Sequence, residues 1–561
     1  MKKYLSISAL ALTGVLLWSC TSKQEKMENK LKAFIEKHEA TIQPLSKEAA
    51  IAYWNASISG KDEDYAKMEE LNVKLTGVYT SKEAFAELKE IKESGAVKDS
   101  LLLRQLDIIY SQFLGNQVDT AKLNRKIKME TEIEKKYSNF RAMVNGKAVS
   151  DNEVEGILKK STNNKELQAA WEGHKQIGPL VADDLKALVK LRNEIAKDLG
   201  FANYHEMSLK LGDQDPAEVS ALFDELDSLT RGAFAQLKDE MDTYFAKRYK
   251  VNKADLKPWH YQNRFFQEAP VIYPVDLDKY YEKQDIVKLT ATFYNSVGLN
   301  VDDVIANSDL FEKPGKNQHA YCMDVDREGD VRSLNNVKQN SDWMGTMLHE
   351  FGHGVYSKFN DRTLPFELRT QAHTFTTEAI AMIFGRFSTN PVWMKDMGII
   401  DSTESVKIAD DCRKTLRLQQ LVFSRWAQVM YRFEKGMYEN PDQDLNKLWW
   451  DLVEKYQMIK KPEGRNMPDY ATKVHIATFP CYYHNYLLGE LLASQLYYHI
   501  TSKVLKSDDY VNQSFVNRPE VGEYLKTKVF MPGARYYWND MIERATGEKL
   551  TAKYYAKQFV E

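Results

Sequence analysis

Cysteine is scarce in this chain, four in 561 residues. Setting aside Cys20 at the head of the chain, Cys322, Cys412 and Cys481 have no metal-site spacing. No disulfide framework follows, and three small buried residues are the expectation. An excess of charge is also missing, with Lys+Arg 77 against Asp+Glu 80. That balance excludes the strong basic face of a nucleic-acid-binding protein and suits a soluble globular body. No Gly/Ser- or Pro-rich linker and no fixed-period repeat interrupts the sequence, so one large body is expected rather than separate modules.

Long apolar runs are absent except at the start, where Lys2 and Lys3 precede an apolar stretch from Leu5 to Trp18, followed by Ser19 and Cys20. The stretch is too short for a comfortable membrane span and reads as an export signal. Its end resembles a bacterial lipoprotein signal, which implies that residues 1–19 are removed and Cys20 carries lipid; an ordinary secretory signal is the alternative. Residues 20–30 then read as the lipidated cysteine and a charged tether, and 31–561 as the folded body. By the same resemblance the protein belongs at the bacterial cell envelope, anchored to a membrane through lipid and facing the periplasm or the exterior. Thr21 after the cysteine favours the outer membrane.

What is present in quantity is helical pattern. Val181, Leu185, Leu188, Ile195 and Leu199 follow three- and four-residue steps and Gly200 supplies a stop. Similar stretches run through 82–93, 218–245, 414–438 and 445–456, predicting a mostly α fold. One region differs. Residues 319–325 and 331–334 are extended runs around the Gly-containing turn at 327–330, which predicts a β-hairpin beside the segment that follows. A strand edge there could hold an extended peptide by main-chain hydrogen bonds.

That following segment contains His349-Glu350-Phe-Gly-His353. Ser341 or Asp342 can cap the start of a helix whose residues 349 and 353 share a face, so both imidazoles can reach one ion. Glu350 beside them is placed to take a proton from water on that ion. Downstream, Glu378 is the single acid in the apolar or small-residue stretch 371–384. A lone carboxylate there is costly to bury unless it is paired or metal-bound. Two histidines and one glutamate leave the fourth position of a tetrahedral zinc open, the arrangement of a catalytic site.

With these residues in view, the chain resembles the angiotensin-converting-enzyme family of zinc peptidyl-dipeptidases. The resemblance extends over Asp184–Glu194, Glu312–Pro314, His319-Ala320, Glu378-Ala-Ile, Leu448–Tyr456 and Lys473-Val-His-Ile476, in the family's order. It implies a large helical zinc-peptidase body, with two subdomains flanking a deep central cleft and a small hairpin beside the metal helix. It assigns His349, His353 and Glu378 to Zn2+ and Glu350 to general base. It further implies that His319, Ala320 and Cys322 meet substrate main chain, that His475 binds near the scissile bond and that Tyr486 stabilises the oxyanion. Lys473, Tyr483 and Gln284 would hold the C-terminal carboxylate of a peptide substrate.

The sequence departs from the family in four places. The step from His475 to Tyr486 is one residue longer, which puts an insertion near Pro480. Asn485 stands where animal enzymes carry an arginine associated with chloride. Met382 replaces an acid one turn after the glutamate ligand, and Asn340 lies near the place of an expected cysteine. Two other readings use the same motif: a thimet-like oligoendopeptidase, and a non-catalytic zinc- or peptide-binding lipoprotein. Glu350, which no metal cage needs, argues against the second.

Overall fold

The computed structural model describes residues 22–273 and 275–560; Cys20 and the signal segment lie outside them. Helices dominate, and the strands form two antiparallel hairpins, β1 (Ala142–Val144) with β2 (Lys147–Val149) and β3 (Tyr321–Asp324) with β4 (Val331–Leu334). The mostly α expectation holds. The first long helix, α1 (Lys23–Ser59), corrects the tether expectation. Ser22 Oγ accepts the Glu25 N–H at 3.1 Å, and Met27 is already buried with Leu31, Phe34 and Ile35. The helical apolar spacing thus continues back through the charged stretch, so 23–30 are the first turns of a packed helix.

The apolar interior is one continuous cluster from Ile133 to Phe559, with a smaller one that joins the start of α1 to helices 82–93 and 100–115. α1 also docks onto the second hairpin. Its Ser57 carbonyl accepts the Asn317 N–H at 2.8 Å, Lys47 pairs with Asp326 at 3.0 Å, and Tyr53 and Trp54 pack on the Tyr321 ring.

Four helices build the centre: α2 (Ser341–Lys358), α3 (Thr374–Gly385), α4 (Ser402–Glu439) and α5 (His484–His499). Neither Ser341 nor Asp342 caps α2. Asn340 does, accepting the Trp343 N–H at 2.8 Å. Met344, Met347, Leu348, Phe351 and Val355 bury one side of α2. Gly352 lets α3 approach: a Cβ there would stand 2.7 Å from the Ala381 Cα. Similarly, a Cβ at Gly489 would lie 3.1 Å from the Glu378 Cβ, so α5 presses on α3 at Glu378. Small residues at both crossings bring three helices to within side-chain reach of one point.

A methyl group at Gly352 therefore has to push α2 and α3 apart. Gly352→Ala should destabilise the protein by about 1–3 kcal/mol, read as a lowered midpoint in thermal unfolding. An unchanged midpoint would show that this crossing is looser than described.

Candidate functional site

α2 and α3 bring the three proposed ligands together. Glu378 Oε2 lies 3.7 Å from His349 Nε2, and Glu378 Oε1 lies 4.0 Å from His353 Nε2. One ligand atom from each residue falls within 4.8 Å of the others, the only such group of His, Cys, Asp or Glu among the described residues. His353 Nδ1 is 2.8 Å from Thr377 Oγ1, which fixes the ring so that Nε2 faces the shared point.

The electrostatics of this donor set are lopsided. Burial keeps His349 and His353 neutral, their pKa values lowered to about 4 and about 3. Burial, with Glu490 nearby, raises the Glu378 carboxyl to about 7. Glu350 rises to about 8 through burial and the charge of Glu378, and its Oε2 is buried without a hydrogen-bond partner. Neutral imidazoles beside two carboxylates that lack a cation are what a divalent metal would complete. The residues present fit zinc.

Two cavities meet at this point, both lined by His349 and Glu350. The first, about 490 Å³, is walled by Ala320, Cys322 and Asp324 of the second hairpin, by His353 and Glu378, and by Arg327 and Arg369. β3 pairs with β4 along one edge only, so among the described residues its other edge is open. The second, about 420 Å³, lies between α2, Met382 and Arg386, Gln419 and Gln420 of α4, and Glu490 of α5. Together they form the cleft on either side of the metal position.

The expected carboxylate-binding group gathers farther along α4. Lys473 is buried, with Nζ 2.5 Å from Gln267 Oε1 and 5.5 Å from the Tyr483 ring centre. Tyr483 packs on Phe423 and Trp426, one and two turns beyond Gln419, and on the His475 ring. Lys473 stands at the N-cap of a short helix, Val474–Thr478. Burial with the nearby Lys473 charge lowers His475 to about 4. Tyr486, half-buried on α5, feels burial and the charge of Glu378, both of which raise its hydroxyl pKa. Tyr482 responds in the same way.

Gln284 makes no hydrogen bond with Lys473 or Tyr483 among the described residues, and its carbonyl accepts from Gln339 Nε2 at 3.2 Å. The glutamine that meets Lys473 is Gln267; its loop, 262–273, has no periodicity from which to read it. His319 is exposed, its N–H turned to Asn317 Oδ1 at 3.0 Å, and the cavity wall begins one residue later at Ala320. Thr377 was legible only as the neighbour of Glu378.

The family model described as angiotensin-converting enzyme matches residues 25–262 and 267–559. Among similar curated proteins is the angiotensin-converting enzyme of Theromyzon tessulatum, 22% identical over 72% of this chain and 70% of that one. Those of Rattus norvegicus and Mesocricetus auratus are 22% and 20% identical over 71% and 92% of this chain. The chain spans only 32% and 41% of these two longer relatives. With a match over nearly the whole described chain, and the two histidines and glutamate meeting at one point, this chain belongs to the angiotensin-converting enzyme family of peptidases.

Proposed function

We propose that the protein is a zinc peptidase that releases dipeptides from the free C-termini of oligopeptides. The observation that carries this reading is the placement of a buried lysine, Lys473, with Gln267 and Tyr483, on the α4 wall beyond the second cavity. A cation and a phenol hydroxyl there fix a terminal carboxylate by charge-assisted hydrogen bonds, at a set distance from His349, His353 and Glu378. The two C-terminal residues fill the second cavity, and the rest of the peptide runs through the first along the open edge of β3, with Ala320 and Cys322 as main-chain partners.

When bound, zinc polarises the scissile carbonyl and makes water more acidic. Glu350 takes the proton from the attacking water and passes it to the leaving amine, a transfer that its raised pKa suits near neutral pH. Tyr486 donates its hydroxyl to the oxygen on which negative charge develops. His475, neutral in its buried setting, gives one hydrogen bond to a carbonyl beside the cut. Thr377 keeps His353 oriented. At its N-terminus the protein is proposed to be anchored through lipid on Cys20, in keeping with the signal-like segment that precedes it.

Three outcomes are expected. Amidating the substrate's C-terminus should lower kcat/KM by a hundredfold or more, about 3 kcal/mol, because a buried lysine loses its partner. Lys473→Ala should abolish most of that discrimination with zinc still bound; equal cleavage of amidated and free peptides, or internal fragments as first products, would favour an oligoendopeptidase. The second concerns pH. Glu378 and Glu350 have folded pKa values of about 7 and about 8, above the ordinary 4.5. At these two carboxyls the metal-free folded chain binds more protons than the unfolded chain; below the ordinary 6.5 of His349 and His353 the neutral buried imidazoles offset this, and above it stability falls as pH rises to about 8. Zinc reverses this by supplying the missing positive charge, so chelation should lower the melting temperature more at pH 8 than at pH 5.5. An equal drop at both would contradict it. Third, Cys20→Ala should move the protein from the membrane to the soluble fraction of its host; unchanged membrane association would exclude the lipid anchor.

A further inference from the structure

Behind the wall of the second cavity lies a pocket of about 260 Å³ that the reaction does not use. Arg386, Thr389 and Leu416 line both spaces, yet none of His349, Glu350 and Glu378 lines the pocket. It forms where the end of α3, the first half of α4, the end of α5 and the last helix, Lys553–Phe559, converge.

Its charge is one-sided. Four cations, Arg386, Arg413, Arg417 and Lys557, stand in the wall and no acid does. Two of them are paired outside it, Arg386 with Glu490 and Arg413 with Asp410. The other two make no ion pair among the described residues. Arg417 Nε donates to the Phe559 carbonyl at 2.9 Å, which fixes the guanidinium and leaves both Nη groups without a protein partner among those residues. Lys557 Nζ lies 6.0 Å from the Tyr554 ring centre. Arg386 adds an unused donor, since its Nε is buried with no hydrogen-bond partner. Arg413 and Lys557 are exposed, so part of the charge stands at the mouth.

The neutral polar side chains point to what the ligand lacks. Asn390 donates to the Gln513 carbonyl at 3.0 Å and accepts the Val392 N–H at 2.9 Å. Thr389 donates to the Arg386 carbonyl at 3.2 Å, Tyr497 to the Tyr510 carbonyl at 2.9 Å, and Asn512 to Asp509 at 2.9 Å. These groups are engaged within the protein, so a sugar or a base, which needs several such partners, is poorly served. The rest of the wall is largely apolar, with Ile383, Phe387, Val392, Leu416 and Phe559.

We infer that this pocket binds a medium-chain fatty acid, its carboxylate held by Arg417 and Lys557 and its alkyl chain on the apolar wall. One anionic end and a plain apolar body match the two kinds of surface present. A volume of about 260 Å³ is at the small end for organic ligands, which suits one short alkyl chain and excludes a two-chain lipid.

The test titrates the zinc-loaded protein calorimetrically with octanoate, hexanoate, octanol and octylamine. Octanoate should bind about tenfold tighter than hexanoate, for the extra methylenes buried, and about tenfold tighter than octanol, with octylamine weakest. Arg417→Gln should weaken octanoate roughly five- to tenfold, a modest loss because the mouth is open to water, and it strands no acid. Ala409→Trp, at an exposed position in the wall, should block entry without disturbing the core. A carboxylate could also settle on Lys473 in the cleft, so Lys473→Ala is titrated alongside and should keep the octanoate affinity within about twofold. Octanoate binding that survives both Arg417→Gln and Ala409→Trp, or that is lost in Lys473→Ala, would place it in the cleft and overturn the site. Equal affinities for octanoate and octanol, or no binding of octanoate below its micelle threshold, would overturn it too. Tighter binding of phenylpropanoate than of octanoate would overturn the choice of an alkyl chain.

Discussion

Everything around the cleft depends on a carboxylate that burial leaves poorly solvated. Glu378 sits mid-helix in α3, among the buried Phe375, Ala379, Ile380 and Ile383, with α5 pressed against its Cβ. Isolated, such a group stays protonated near neutral pH; Glu490 nearby raises it further, and its own charge in turn raises Glu350. The two facing imidazoles are neutral and offer no relief. A cation in the space between them stabilises both carboxylates in their charged form, so the energetics of folding and the capacity for chemistry are joined at one point.

The approach of the helices makes that point available. Gly352 and Gly489 let α2 and α5 close on α3 from two sides, and the helical four-residue step aligns His349 with His353. Thr377, adjacent in sequence to Glu378, reaches the opposite nitrogen of His353, so a single turn of α3 supplies both a ligand and the group that orients another ligand. Glu490 of α5 brings a carboxylate near Glu378 from a different element, where Arg386 and Gln420 engage it.

The cleft has two chemically different arms. The second cavity leads along α4 to aromatic rings that surround Lys473, a cation whose burial lowers its pKa to about 7 and which therefore gains most from a bound carboxylate. The first is bounded by an unpaired strand edge and by arginines, with α1 docked on the outer side of the same hairpin. An extended peptide can span both arms only by passing His349 and Glu350.

The sequence by itself determined the local parts. The four-residue step in 349–353, the lone acid at 378, the apolar periodicity of the helices and the turn at 327–330 are short-range patterns, and each is found where it was read. The hairpin is slightly shorter than its extended runs, beginning at Tyr321 and leaving His319 exposed. Charge content misled at 23–30, because one buried residue per turn is enough to seat a helix on neighbours that composition does not reveal. Tertiary structure alone decided which distant side chains meet. Gln267 faces Lys473 across 206 positions of chain, and Gln284 does not, because an aperiodic loop carries no pattern from which its path can be derived. The meeting of Arg327 with Arg369 on one cavity wall is likewise set by the packing of a turn against a loop, a long-range contact that no local spacing encodes.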